Sequence, residues 1–160
     1  MLLFLLPLLA TADAVAPEPP QTCQPLVGIS TLLSEGLLDR RGIKTLRLQV
    51  PDPPAPASEA GILHIGSFRS VQRVALLIEF SEGASLSGRP FRATLSAPGL
   101  QALTVVQVLQ VDPTPEYEKT RIIVEAAATV TNARGVYTLE LQDAEGRRLL
   151  VLPGVRFPPA

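Results

Sequence analysis

A single histidine, a single cysteine and fifteen carboxylates are the side chains on which catalysis or metal binding would have to rest. His64 lies in Ile62-Leu63-His64-Ile65. An imidazole acting as a general base needs a nucleophile or a carboxylate beside it. Only Ser67 and Ser70 lie near it in sequence, and neither belongs to a G-x-S-x-G elbow. The expected role is therefore a hydrogen-bonded or solvent-facing histidine. Asp112, Glu116 and Glu118 form an acidic group, DPTPEYE, and several carboxylates on one loop are the hard oxygen donors that calcium takes. Two prolines stiffen that loop, its spacing is not that of an EF-hand, and Lys119 and Arg121 adjoin it. A solvated turn is the expectation. Glu79 and Glu82 flank Phe80 and supply the two carboxylates from which a small hydrolase can be built, the main catalytic alternative.

The chain contains no phosphate-cradling glycine loop, H-E-x-x-H, C-x-x-C or N-x-S/T sequon. We therefore expect no catalytic residue, no metal and no cofactor. Aromatic residues make up 4% with no tryptophan, which argues against stacking platforms for sugars. Net charge is -1, and Arg40-Arg41 and Arg147-Arg148 are isolated pairs, so the electrostatic footprint of a nucleic-acid binder is missing.

Leu2 to Ala10 (LLFLLPLLA) is an apolar run of signal-peptide length, too short to span a bilayer, and Ala12-Asp13-Ala14 is an A-x-A cleavage pattern. The expectation is a signal peptide over 1–14 and a secreted, periplasmic or cell-surface protein with no membrane span after cleavage. Residues 15–28 form a Pro-rich tail carrying Cys23, an odd thiol suited to an intermolecular disulfide.

What must position any site is a run of short strands. Thr45 to Val50 alternates polar and apolar residues, placing Leu46, Leu48 and Val50 on one face. Segments of this kind recur: 43–50, 61–68, 72–80, 90–97, 103–111, 121–131, 136–143 and 148–152, with an extended piece to Phe157. Turn residues separate most of them, as in Pro98-Gly99, Asn132 to Gly135 and Asp143 to Gly146. Pro-rich 51–60 is a connector that neither a helix nor a central strand can accommodate. Ile29 to Arg41 predicts one helix, capped by Ser30 or Thr31, with Leu32, Leu33 and Leu37 on its apolar side. About seven to eight antiparallel strands and this short N-terminal helix make an all-β sandwich over 29–160.

Gly135-Val136-Tyr137-Thr138-Leu139-Glu140-Leu141, followed by Asp143-Ala144-Glu145-Gly146, resembles the closing hairpin of immunoglobulin-like sandwich domains. Tyr137 is similar in placement to the tyrosine corner of that family. The resemblance implies the fold alone, since such sandwiches carry many unrelated functions. The tryptophan and the inter-sheet cysteine pair of the antibody branch are missing.

Strict alternation puts Val106, Val108, Ile123 and Ala127 on the face opposite the core, where a sheet in water should be polar. A cover is expected there, either the helix through its leucines or a partner subunit. The functional expectation is an exported, non-catalytic binding, adhesion or envelope-structural module that meets a protein partner or a second copy of itself. An uncleaved cytosolic or virion structural sandwich is the third reading.

Overall fold

The computed structural model describes residues 28–35, 44–48 and 61–160, apart from positions 85, 116 and 130. The signal segment, Cys23, the second half of the predicted helix, the Pro-rich connector and Glu116 lie outside the described residues.

The described chain is one short helix, α1 (Ile29–Ser34), and eight strands. These are β1 (Lys44–Leu48), β2 (Ile62–Arg69), β3 (Arg73–Phe80), β4 (Arg92–Ser96), β5 (Val105–Val111), β6 (Arg121–Ala127), β7 (Tyr137–Gln142) and β8 (Arg148–Val155). Every strand overlaps a segment expected from alternation. They form two antiparallel sheets, ordered β1-β2-β3-β6-β5 and β4-β7-β8. The expected all-β sandwich with one N-terminal helix is thus present.

The core fills the space between the sheets. Leu76, Ile78 and Phe80 from β3 and Ile122 and Val124 from β6 face Leu95, Leu139, Leu141 and Leu150 of the smaller sheet, all but fully buried. The two sheets differ on their outer faces. In β7 burial alternates strictly, because its second face meets water. In β6 both faces are buried along almost the whole strand, because α1 lies over the outside of the large sheet. Ile29 and Leu33, one turn apart, pack there with Ala75, Ile123, Leu77, Leu109 and Val111. A helical cover therefore exists, but it lies over Ile123, Leu109 and Val111 rather than Val106 and Val108, and it is made by Ile29 and Leu33; Leu37 lies outside the described residues. The helix start differs from expectation: the N-cap is Gly28 and no side chain of the helix's own segment caps it.

Strict alternation fails in β5, and the failure is local. Val105 pairs with Ala126, but Gln107 pairs with Glu125, so Val106 is an extra residue at a bulge. Beyond it the faces exchange. Val108 packs against the main core with Val105, while Leu109 and Val111 lie beneath the helix. Val106 itself is exposed. A second irregularity, between Ile62 and His64, leaves Leu63 exposed while Ile65 reaches the core.

Antiparallel pairing sorts the connections into two ends of the sandwich. At the first are the β2–β3 turn, the β4–β5 and β6–β7 connections and the tail after β8. At the second are the β3–β4, β5–β6 and β7–β8 connections.

Candidate functional site

The four residues expected to share an apolar outer face do not make one surface. Ile123 lies under α1, Ala127 is half-buried, Val108 belongs to the core side, and Val106 is exposed on the β5 bulge. His64 is half-buried and stands opposite Glu79 across the β2–β3 pair. Neither nearby serine serves it. The Ser67 hydroxyl donates to the Leu46 carbonyl at 3.4 Å, and the Ser70 hydroxyl accepts from the Arg73 N–H at 3.2 Å. In the acidic loop, Asp112 accepts hydrogen bonds from Gln110 at 2.7 Å and Arg89 at 3.3 Å. No group of three or more potential metal ligands occurs among the described residues.

The structure draws attention instead to three charges buried within strands, which alternation does not reveal, beginning with a pair on β6. Arg121, Ile123 and Glu125 occupy alternate positions and so share the outer face. Glu125 is 2% exposed, and its carboxylate accepts hydrogen bonds from the N–H groups of Ile29 (3.2 Å) and Ser30 (3.0 Å) and from the Ser30 hydroxyl. Those N–H groups open α1 and have no partner inside the helix, so a carboxylate from the sheet does what a capping side chain ordinarily does. A Cβ on Gly28 would stand 2.7 Å from a Glu125 oxygen, which explains why the cap position is glycine. At the other end of the helix, the Arg121 guanidinium donates to the Leu33 carbonyl at 3.5 Å and lies 4.5 Å over the Tyr117 ring. An acid at the helix start and a cation at its end, four residues apart on one strand, hold α1 down. The role is structural.

The third buried charge is Arg69, the last residue of β2. Its guanidinium donates to the carbonyls of Thr129 (3.2 Å), Asn132 (3.1 Å) and Ala133 (2.8 Å), all in the β6–β7 connection. Burial, and then the charge of Arg134, lower its pKa from the ordinary value while Tyr137 raises it. Guanidinium stays charged throughout the accessible pH range, so this is a permanent clamp. Within the clamped loop, the Asn132 side-chain oxygen accepts from the Thr129 N–H at 2.6 Å. Ala133 is held at φ 57°, a left-handed conformation that a non-glycine residue adopts only under constraint.

Around this clamp the first end exposes apolar tips. Val71 in the β2–β3 turn is 77% exposed, and Leu100 and Val136 project from the two other connections. The turns touch. The Ala128 N–H donates to the Gln72 carbonyl at 3.0 Å, and a Cβ on Gly135 would collide with the Leu100 side chain. The connections of this end, 70–72, 97–104, 128–136 and 156–160, contain Arg134 and Arg156 and not one Asp or Glu.

The second end is unlike it. Its connections, 81–91, 112–120 and 143–147, carry six acidic residues against Arg89, Lys119 and Arg147. A cleft of about 300 Å³ lies there, lined by Glu79, Pro115, Tyr117, Glu118, Lys119 and Arg121. Phe91 and Tyr117 are exposed, and the Arg89–Asp112 ion pair at 3.3 Å joins their two connections. Asp143 closes the β7–β8 turn. Burial pushes its carboxyl up, but hydrogen bonds from the Arg147 N–H and guanidinium, that arginine's charge and the Glu145 N–H outweigh burial and hold it below the ordinary range.

Sequence reasoning missed Arg69, Arg121 and Glu125. The signal available was a charged residue inside a strand both of whose faces are otherwise apolar, as in Arg121-Ile122-Ile123-Val124-Glu125. A charge at such a position needs a partner. Among the described residues, no helix is long and apolar enough to cross a membrane. Comparison with protein-family models, curated proteins and solved structures finds no match.

Proposed function

We propose that this chain is a non-catalytic binding module of the adhesion or envelope-structural kind, working by surface complementarity through the first end of its sandwich. One observation carries the reading: exposed aliphatic tips stand beside a connection that a buried arginine clamps at three carbonyls. A mobile loop loses conformational freedom when it binds, and a clamped one does not. Surface apolar groups gathered at one place, rather than scattered, commonly mark an interaction site. Export, on the strength of Leu2–Ala10 and Ala12-Asp13-Ala14, would bring this surface to an extracytoplasmic partner.

We also assign the sandwich to the immunoglobulin-like class. With β1 set aside, the sheets run β2-β3-β6-β5 and β4-β7-β8. That order coincides with the ABED and CFG sheets of constant-type domains, and Tyr137 then opens the strand that carries the tyrosine corner. The recognition end would be the one opposite to that used by antibody variable domains.

The test is a pull-down from the native host, comparing the wild-type chain with a Val71→Asp/Leu100→Asp variant. A partner retained by wild type and lost by the variant supports the reading. Equal retention by both overturns the assignment of this end. The alternative of a small hydrolase is favoured by Glu79 and Glu118 lining one cleft with Arg121 and Tyr117. Turnover on a broad ester, peptide and glycoside panel, abolished by Glu79→Gln, would replace the binding reading with this one.

A further inference from the structure

We infer that the occupant of the first end is the second end of another copy of this chain, so that molecules join head to tail. The inference rests on the binding-module reading above and names its partner. The two ends complement each other in charge: the described connections of one hold Arg134 and Arg156 with no Asp or Glu side chain, and those of the other carry six acids against three cations. They also match in apolar character. Val71, Leu100 and Val136 project from the first, and Phe91 and Tyr117 are exposed on the second. The relief matches as well, since the first end presents tips and the second holds a cleft of about 300 Å³ beside Tyr117 and Glu118. Two first ends brought together would face cation to cation, and two second ends acid to acid. Only the mixed pairing brings opposite charges together, and like-charge juxtaposition suppresses the others. A contact between two different surfaces of one molecule does not close on itself, so it propagates into a chain of subunits unless rotation makes a ring. That outcome suits an envelope-structural module.

Sedimentation velocity on the full chain under reducing conditions, which removes any Cys23 linkage, tests this directly. The weight-average mass should rise with concentration, and the association constant should fall by about tenfold or more between low and high salt, as screening requires. Two variants break one end each: Val71→Asp/Leu100→Asp at the first, and Phe91→Lys/Glu118→Lys at the second. All four positions are exposed, so circular dichroism should be unchanged. Each variant alone should stay monomeric. Mixed in equal amounts they should give dimers and nothing larger, because one intact end remains on each. Wild type monomeric at every concentration overturns the inference, as does a mixture that stays monomeric. A variant that self-associates alone overturns it too, since that contact would be symmetric. If the pull-down still yields a protein lost in the first-end variant while self-association is absent, the binding-module reading stands and only this inference falls.

Discussion

At one end of the large sheet Arg69 reaches three carbonyls of the β6–β7 connection within 3.2 Å, whereas at the other Arg121 reaches one carbonyl of α1 at 3.5 Å and stacks on Tyr117. Both are strand-terminal arginines, both are nearly fully buried, and each leaves its Nε without a partner among the described residues. The consequences diverge because of what each guanidinium meets. Arg69 meets a loop whose carbonyls point inward with no strand to pair with, and its fork satisfies them together. Arg121 meets a ring face and the last turn of a short helix, so its contribution is mostly packing. The first arrangement fixes a connection in place beside exposed apolar tips. The second borders a cleft. One residue type thus organises two unlike ends.

The largest expected effect follows from removing the stronger clamp. Arg69→Ala strips three buried carbonyls of a charged donor and should cost about 3–4 kcal/mol, since each hydrogen bond to a charged group contributes about 1.5–3 kcal/mol and such terms are not additive. The urea midpoint should fall at constant m-value, and amide exchange should accelerate first in 128–136. Arg69→Lys should recover less than half of the loss, because an ammonium cannot span three acceptors as the planar fork does. If Arg69→Ala costs no more than an exposed substitution, the loop is held by something else and the contrast between the ends disappears.

The two charges that hold α1 sharpen the comparison at smaller cost. Glu125→Ala orphans the two buried N–H groups of Ile29 and Ser30, while the Ser30 hydroxyl keeps the Gln107 side-chain oxygen as acceptor, and should destabilise by about 2–3 kcal/mol. Arg121→Ala loses one long hydrogen bond and a ring contact, and should cost about 1–2 kcal/mol. Chemical denaturation of both variants ranks them. The reverse order would mean that the helix is secured at its C-terminal side rather than at its start.

How much of this was legible in the sequence depends on which force decided each feature. The strands were readable because one buried face imposes a period of two, as in Arg92 to Ser96, where exposed and buried residues alternate without exception. That the second face of β6 needs a cover was readable from Ile123 and Ala127, although Arg121 and Glu125 share that face. The side-chain cap from Glu125 was not, because it joins positions 95 and 96 residues apart, and capping rules operate on neighbours. The sorting of Val106 and Val108 failed for a related reason. A bulge adds one residue to a strand, and every side chain beyond it changes face. Nothing in Val105-Val106-Gln107-Val108 marks which residue is the extra one. The charge contrast between the ends was present in the sequence but had no meaning until the topology assigned each connection to an end.

A pH titration should separate the ends with a smaller effect. Asp143 is held below the ordinary carboxylate range, and so is Glu140, chiefly through the Gln142 side chain and then Arg148. A depressed folded pKa contributes stability that is present above the unfolded value, about 3.9 for Asp. That stability is lost as pH falls through the folded value. Acidification from pH 5 to below about 4 should therefore loosen the β7–β8 hairpin at the second end. The described connections of the first end have no Asp or Glu side chain to protonate. Amide exchange should show protection falling in 142–148 before 128–136. Simultaneous loss at both ends would indicate global unfolding and remove the distinction.

The smallest expected effect is on stability at Val106. Strict alternation would put this valine under a cover, where Val106→Lys leaves an unpaired charge in an apolar site at a cost of about 1–3 kcal/mol. The bulge between Val105 and Gln107 turns it outward instead, and it is nearly half exposed while its neighbours on both sides keep their pairing to β6. A lysine there keeps its ammonium in water and lays its stem along the sheet edge. It also adds a charge to an edge strand, a device by which edges resist unwanted pairing. The denaturation midpoint should therefore stay within about 0.5 kcal/mol of wild type, as for surface substitutions generally. Val108→Lys, two residues on and facing the core, should cost several times more. Equal losses at the two positions would mean that β5 runs without its bulge, and both valines would then share the covered face that alternation alone implies.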